Sequence, residues 1–167
     1  MGFDHKTMRA LFETHGPMVH RRARRILGND ADAEEAVQEV FIRAFSASDA
    51  FEQRSTMATW LWRITTHWCL NRIRDARRRQ ELFSQKVEPA ERDHDGPLSH
   101  AEVLALRKVL AEADEREAQA AVYVHLDGMS HDEAAELLGV SRRTIGNLVE
   151  RFATFARARL GEGARRA

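Results

Sequence analysis

The last third of the chain concentrates side chains that can bond to DNA bases and phosphates. Residues 141–151, SRRTIGNLVER, combine hydroxyl, guanidinium and amide groups. Guanidinium and amide groups form paired hydrogen bonds with purine edges in the major groove, and guanidinium and hydroxyl groups also bond to phosphates. The candidate contact residues are Ser141, Arg142, Arg143, Thr144, Asn147 and Arg151.

Such side chains read DNA only when a helix holds them rigidly. Ser130 and Glu133 have the spacing of a capping box, Gly139 stands where the chain must reverse, and Ser141 can cap a following helix. The apolar residues at helical spacing that would pack the two helices together are Ala134, Ala135, Leu137, Leu138, Val140, Ile145 and Leu148. Residues 130–151 therefore predict a helix-turn-helix whose second helix enters the major groove. A helical hairpin with a solvated basic face is the alternative.

An earlier segment interleaves aromatic rings with cations. One long helix is predicted over 58–79, opened by Ser55 or Thr56, and all three tryptophans lie within nine of its residues. Rings stack on unpaired bases and cations hold phosphates, so this composition is typical of a platform for single-stranded nucleic acid. Burial of Trp60 and Trp68 in a core is the alternative. The polar residues of the segment are Arg63, His67, Asn71, Arg72, Arg74, Arg77, Arg78 and Arg79.

The formal net charge of zero conceals a strong segregation of charge. Residues 1–52 carry a net charge of −2, 53–86 of +6, 87–136 of −9 and 137–167 of +5. The distribution of charge matters more than its total for attraction to phosphates. Two basic segments separated by an acidic one indicate two regions of DNA contact.

Composition limits the other function classes. Three prolines among 167 residues and an abundance of Ala, Leu, Arg and Glu favour helices throughout, with no sheet. No apolar run reaches the roughly 20 residues of a membrane span, and the N-terminus lacks the apolar core of a signal peptide, so we expect a cytoplasmic chain without membrane insertion. The single cysteine, Cys69, offers no metal-binding spacing. No nucleophile with its base and no phosphate-binding glycine loop is evident, so neither an enzyme nor a cofactor is expected.

The helical pattern divides the chain into two domains. Gly16 and Pro17 are expected to break the first helical segment, and Asn29 or Asp30 to cap a further helix that ends near Phe45. The fold class is all-α: two small helical domains joined by a flexible linker, the C-terminal one a four-helix domain with the helix-turn-helix. The proline-containing, charged segment favours boundaries at 1–82 for the first domain, 83–100 for the linker and 101–162 for the second.

The helix after Asn29 has an apolar face and an opposite polar face. The polar face is acidic and carries an amide, which suits either solvent or a basic partner protein. Its residues are Asp32, Glu35, Gln38, Glu39 and Arg43.

These segments together resemble the extracytoplasmic-function (ECF) sigma factors, the small bacterial initiation subunits of RNA polymerase. ADAEEAVQEVFIRAF (31–45) and STMATWLWRITTHWCLNRIRDARRR (55–79) look like region 2 of that family, and GMSHDEAAELLGVSRRTIGNLVERF (128–152) looks like region 4. The resemblance implies an all-α protein that binds core RNA polymerase and directs promoter recognition and strand opening.

The resemblance also implies roles for the residues above. The polar face that contains Glu35 would dock on the polymerase, and the helix-turn-helix would read the minus-35 element. Relatives are often held inactive by an anti-sigma factor wedged between the domains, and we expect a monomer when free. The residues that would recognise and open the minus-10 element are Phe51, Arg54, Trp60, Trp62, Arg63, His67 and Asn71, with Arg72, Arg74, Arg77, Arg78 and Arg79 on nearby phosphates.

Some positions depart from the family pattern. His67 stands where many relatives have Asn, and Thr66 where they often have Arg. Gly146 and Asn147 stand where Lys and Ser are frequent. Two rival functions are an autonomous helix-turn-helix regulator, which would bind promoters without polymerase, and a sigma-fold adaptor, which would bind protein partners without supporting transcription.

Overall fold

The computed structural model describes residues 4–48, 55–83 and 99–164, and within them every regular element is helical. This confirms the all-α prediction. The seven α-helices of these ranges are α1 (His5–Leu27), α2 (Asp30–Ser46), α3 (Met57–Phe83), α4 (His100–Glu112), α5 (Glu115–Ala121), α6 (His131–Leu138) and α7 (Arg142–Ala164). A π-helical turn, Val122–Leu126, continues α5.

The predicted break at Gly16 and Pro17 is wrong, because α1 runs without interruption through both residues. A proline inside a helix removes one backbone hydrogen bond and costs about 3 kcal/mol. Helix α1 packs against α2, which opposes that cost: the rings of Phe12 and Phe41 lie 5.1 Å apart on one side of the proline, and Val19 is fully buried on the other. Tertiary packing therefore overrides the local signal.

Side-chain caps and one glycine define the α1–α2 corner. Gly28 ends α1 in the left-handed region at a φ of 77°. Asn29, rather than Asp30, then caps α2, since its side-chain oxygen accepts the backbone N–H of Asp32 at 2.8 Å. The buried residues of α2 are Ala33, Ala36, Val37, Val40, Phe41 and Ala44, which confirms the predicted apolar face.

The described residues form two compact units. The first consists of 4–48 and 55–72, and the second of 73–83 and 99–164, so α3 contributes residues to both. The predicted linker over 83–100 lies, apart from its ends, outside the described residues.

Two capping boxes and a left-handed glycine build the second unit. Ser99 with Glu102 caps α4, and Ser130 with Glu133 caps α6. Gly139 adopts a φ of 64°, which reverses the chain between α6 and α7. The predicted helix-turn-helix is thus confirmed down to its caps. The core of the second unit includes Tyr123, Leu137, Ile145, Leu148 and Phe152.

Candidate nucleic-acid and polymerase interfaces

Six of the predicted minus-10 residues lie along one side of α3. At about 100° per residue, positions 60, 63, 67, 71, 74 and 78 fall within an arc of about 80°. We call this set the α3 stripe: Trp60, Arg63, His67, Asn71, Arg74 and Arg78. Arg63, His67 and Arg78 are exposed, and the other three are partly buried. The stripe therefore presents an aromatic ring, cations and an amide in one line.

The remaining circumference of α3 fixes the direction of the stripe. Leu61, Thr65, Trp68 and Cys69 are buried, so Trp68 belongs to the core. The hydroxyl of Thr56 accepts the backbone N–H of Thr59 at 3.2 Å and caps the helix one turn before the stripe begins. Trp68 is thus separated from the cations, whereas Trp60 shares their side of the helix.

Two members of the stripe are bonded to each other. The Nδ2 atom of Asn71 lies 2.9 Å from Nε2 of His67. Since an amide nitrogen only donates, Nε2 of the imidazole is the acceptor in this contact. This bond joins two polar members of the stripe that stand one helical turn apart.

Two arginines assigned to phosphates from the sequence lie on carboxylates of their own unit. Arg72 of the first unit places its Nη2 atom 2.7 Å from Glu35 and 3.7 Å from Asp32. Arg77 of the second unit contacts Glu112. Neither residue shares the arc of the stripe, because Arg72 lies about 100° and Arg77 about 40° beyond its edges.

Two more of the residues assigned to the minus-10 element, Trp62 and Arg79, lie off the stripe. Trp62 lies on another side of α3, where the guanidinium of Arg22 covers its ring at 4.0 Å from the centroid. Arg79 is exposed at the side of the helix. Phe51 and Arg54 lie outside the described residues.

The polar face of α2 contains one large apolar side chain that the sequence reading overlooked. Ile42 is 58% exposed, and it follows Glu35, Gln38 and Glu39 by seven, four and three residues, which places it on their face. Glu39 lies 3.8 Å from Arg43. The helical spacing of Ile42 from the acidic residues is the signal in the sequence that could have identified it.

Helix α7 presents a smaller polar face. Ser141 caps it by accepting the backbone N–H of Thr144 at 3.1 Å. With Ile145 and Leu148 buried, Arg143 and Asn147 point to solvent. The exposed Glu150 shares that face three residues beyond Asn147, and the sequence reading missed it because it considered only cations and neutral donors.

The arginines at the edges of this face are held by carboxylates. Arg142 lies 3.9 Å from Asp132, and Arg151 lies 2.9 Å from Glu117. Arg143 has no ion pair among the residues that the structure describes. The centre of the face thus offers one guanidinium, one amide and one carboxylate.

The single cysteine is not a reactive group. Burial raises the pKa of the Cys69 thiol to about 12, so the thiolate is absent at neutral pH. Across the described ranges, no three His, Cys, Asp or Glu side chains converge as metal ligands would. None of the helices in those ranges is both long and apolar enough to span a bilayer.

Comparison with known proteins identifies the class. Residues 11–79 match the family model described as sigma-70 region 2, and residues 112–160 match that of a homeodomain-like domain. The chain is 34% identical over 161 residues to the RNA polymerase sigma factor NccH of Alcaligenes xylosoxydans xylosoxydans, covering 90% of this chain and 82% of that protein. It is 29% identical over 150 residues to the ECF RNA polymerase sigma factor SigM of Mycobacterium tuberculosis, covering 90% and 73%.

A solved structure shares the fold. The sigma factor RpoE from Bartonella quintana, determined in complex with the anti-sigma factor NepR, superposes with a TM-score of 0.55 at 21% identity, over 93% of this chain and 98% of that one.

These findings define a sigma-70-type initiation factor. Within that class, the chain belongs to the ECF RNA polymerase sigma factors. It binds core RNA polymerase and promoter DNA, directs promoter recognition and strand opening, and is not an enzyme. The resemblance seen in the sequence is therefore confirmed.

Proposed function

We propose that the α3 stripe recognises and opens the minus-10 element. The observation that carries this proposal is the alignment of Trp60, Arg63, His67, Asn71, Arg74 and Arg78 on one side of α3, with the core on the other. An aromatic face next to guanidinium groups can stack on an extruded base while holding its phosphates. Extruding a base costs a few kcal/mol, and a preformed surface offsets that cost because it needs no rearrangement.

The exposed face of α7 is proposed to read the minus-35 element. Arg143 can bond to guanine O6 and N7, and Asn147 to adenine N6 and N7. Arg142, Arg151, Ser141 and Thr144 lie around these two residues and can reach phosphates. In this role Arg142 and Arg151 exchange their carboxylate partners for the DNA backbone.

The polar face of α2 is proposed to dock on core polymerase. Glu35, Gln38 and Glu39 precede the exposed Ile42 on the same face, so an apolar anchor lies beside a polar, mainly acidic patch. Interfaces draw most of their affinity from such buried anchors and their selectivity from the rim. The partner surface that fits is basic with an apolar depression. Asp32 and Arg43 lie at the edge of this face.

The domain division and the cellular setting are proposed as well. We assign residues 1–82 to polymerase docking and minus-10 opening, 83–100 to a linker, and 101–162 to minus-35 recognition. The protein acts in the cytoplasm and is a monomer when free. We also propose regulation by an anti-sigma factor, the kind of partner with which RpoE was crystallised.

Reconstituted transcription tests the assignment of the stripe. Purified protein is added to bacterial core polymerase and assayed on a promoter library, beside a Trp60→Ala/Arg63→Ala variant. Wild type is expected to produce transcripts, and the variant to bind polymerase but open few promoters. Absence of any wild-type transcript would indicate an adaptor, and promoter binding without polymerase would indicate an autonomous regulator. Normal opening by the variant would refute the role of the stripe.

A further inference from the structure

A buried arginine of α1 contacts α3 away from the α3 stripe. Arg22 is only 4% exposed, and its side chain crosses from α1 to Thr66, which is fully buried. Its Nη2 and Nε atoms donate to the Thr66 hydroxyl at 2.7 and 3.1 Å. The same guanidinium lies 4.0 Å from the ring centroid of Trp62. One side chain therefore engages two successive turns of α3.

The hydroxyl at the centre of this cluster uses its full bonding capacity. Thr66 accepts both bonds from Arg22 and donates its own hydrogen to the carbonyl of Trp62 at 2.9 Å. A hydroxyl has one donor and two acceptor positions. The indole N–H of Trp62 makes no hydrogen bond within the described residues, so the stack with Arg22 is the polar contact at this ring.

The position of the cluster on α3 means that it restricts rotation of this helix about its axis. Counted at about 100° per residue, Trp62 and Thr66 lie about 200° and 240° around the helix from Trp60. A small rotation of α3 would break the cluster and would turn the stripe by the same angle. Apolar contacts alone tolerate such rotation, because they are not directional. A planar guanidinium fixed by two hydrogen bonds and a stack does not.

We propose that Arg22 is a positioning residue for strand opening: its clamp on Trp62 and Thr66 fixes the rotation of α3 and so the direction in which the stripe meets the minus-10 strand. This inference rests on the proposed function of the stripe. Trp62 thereby acts on the DNA indirectly, as the surface that Arg22 holds.

The test measures opening separately from binding. Holoenzymes are assembled with full-length Arg22→Met, Arg22→Lys and Thr66→Val variants, and with Arg21→Met as the control, since Arg21 is an exposed neighbour on the same helix. Opening is followed by 2-aminopurine fluorescence in the minus-10 element of a promoter selected by wild type. Polymerase affinity, duplex affinity and thermal unfolding are measured in parallel, and opening is assayed below the melting temperature of every variant.

We expect Arg22→Met and Thr66→Val each to slow opening about tenfold, with polymerase and duplex affinity unchanged. A variant that combines Arg22→Met with Thr66→Val should open promoters no more slowly than Arg22→Met alone, because both changes disable the same clamp. Lysine should fail to restore the rate, since an ammonium cannot reproduce the planar fork.

Three results would overturn the inference: wild-type opening by Arg22→Met or Thr66→Val, full rescue by lysine, or an equal defect in Arg21→Met. The Trp60→Ala/Arg63→Ala variant distinguishes a failure of the stripe's proposed role from a failure of the positioning role of Arg22. If it opens promoters normally, the role of the stripe fails and Arg22 has nothing to position. If it is defective while Arg22→Met is not, only the positioning role fails.

Discussion

The two proposed DNA surfaces differ in how their charges are held. Exposed Arg63 and Arg78 of the α3 stripe have no ion pair among the described residues, and an aromatic ring begins the same line. On α7, Arg142 and Arg151 are paired with carboxylates of their own unit, and the centre of the face adds Glu150 to Arg143. The stripe is thus strongly cationic, whereas the α7 face is nearly balanced.

This difference suggests a division between affinity and specificity. Unpaired cations attract phosphates of any sequence and release counterions, which makes binding dependent on salt. A balanced face gains little from the backbone and must rely on hydrogen bonds to base edges. We therefore expect salt dependence to arise mainly from α3 and base preference mainly from α7.

The largest expected effect comes from the aromatic end of the stripe. Trp60→Ala removes a stacking surface worth about 1–3 kcal/mol per base, so opening should slow about 10- to 100-fold. Trp60→Phe keeps a ring and should retain most of the rate. Stopped-flow 2-aminopurine fluorescence measures both. Equal rates for the alanine and phenylalanine variants would show that no base stacks at this position.

On α7, Arg143→Ala should relax sequence preference at one base pair of the minus-35 element. A bidentate arginine–guanine contact contributes about 1–3 kcal/mol of discrimination. Binding competition among single-base promoter variants measures it. Arg157→Ala removes the same charge four turns along α7 and should leave every preference intact. A uniform loss of affinity for Arg143→Ala would instead make this residue a phosphate contact.

Adjacent arginines near the end of α3 distinguish phosphate contact from internal pairing. Arg78 lies on the stripe, whereas Arg77 contacts Glu112. Arg78→Ala should reduce the slope of log affinity against log salt by about 0.9. Arg77→Ala should leave that slope unchanged and lower the melting temperature, because Glu112 is nearly buried and loses a cation. Promoter binding at several salt concentrations, with thermal melts, tests both. A reversed result would remove the contrast between paired and unpaired arginines.

Arg77 and Arg78 also show which features of the molecule could not be predicted from the sequence. Caps such as Ser130 with Glu133, and the reversal at Gly139, depend on residues close in the chain, so they were predicted correctly. Arg72, Arg77 and Arg78 look alike in sequence, and only the packing of distant helices decides which of them meets a carboxylate.

The same limit explains two further outcomes. The proline in α1 was expected to break the helix because local rules penalise it, but contacts with α2 extend past it. Arg22 was not considered for any role, because nothing local indicates that a charged residue is buried against Thr66 and Trp62. Both cases depend on contacts between residues more than twenty positions apart.

A smaller effect concerns the glycine within the reading helix. A Cβ atom at Gly146 would lie 3.8 Å from the ring of His131, an ordinary contact, so Gly146→Ala should raise the free energy of unfolding by about 1 kcal/mol. Gly139→Ala is the opposite control, because its φ of 64° disfavours any side chain. Chemical denaturation measures both. If Gly146→Ala stabilises the protein but weakens minus-35 binding, the glycine serves close approach to DNA; destabilisation would contradict the packing.

The smallest expected effect is a difference between the two units in how their stability depends on pH. Burial raises the pKa of Cys69 in the first unit from 9.0 to about 12, so the unfolded chain releases this proton first and stability falls above pH 9. The loss should stay below about 1 kcal/mol at pH 9.5, and it should vanish in Cys69→Ala.

In the second unit, hydrogen bonds from Ser130 lower the pKa of Glu133 from 4.5. Its stabilisation is present above that value and is lost as the pH falls through the folded pKa, a loss that Glu133→Gln should abolish. Thermal melts across pH 3–10 measure both limbs, and a wild-type alkaline limb in Cys69→Ala would assign that limb to another group.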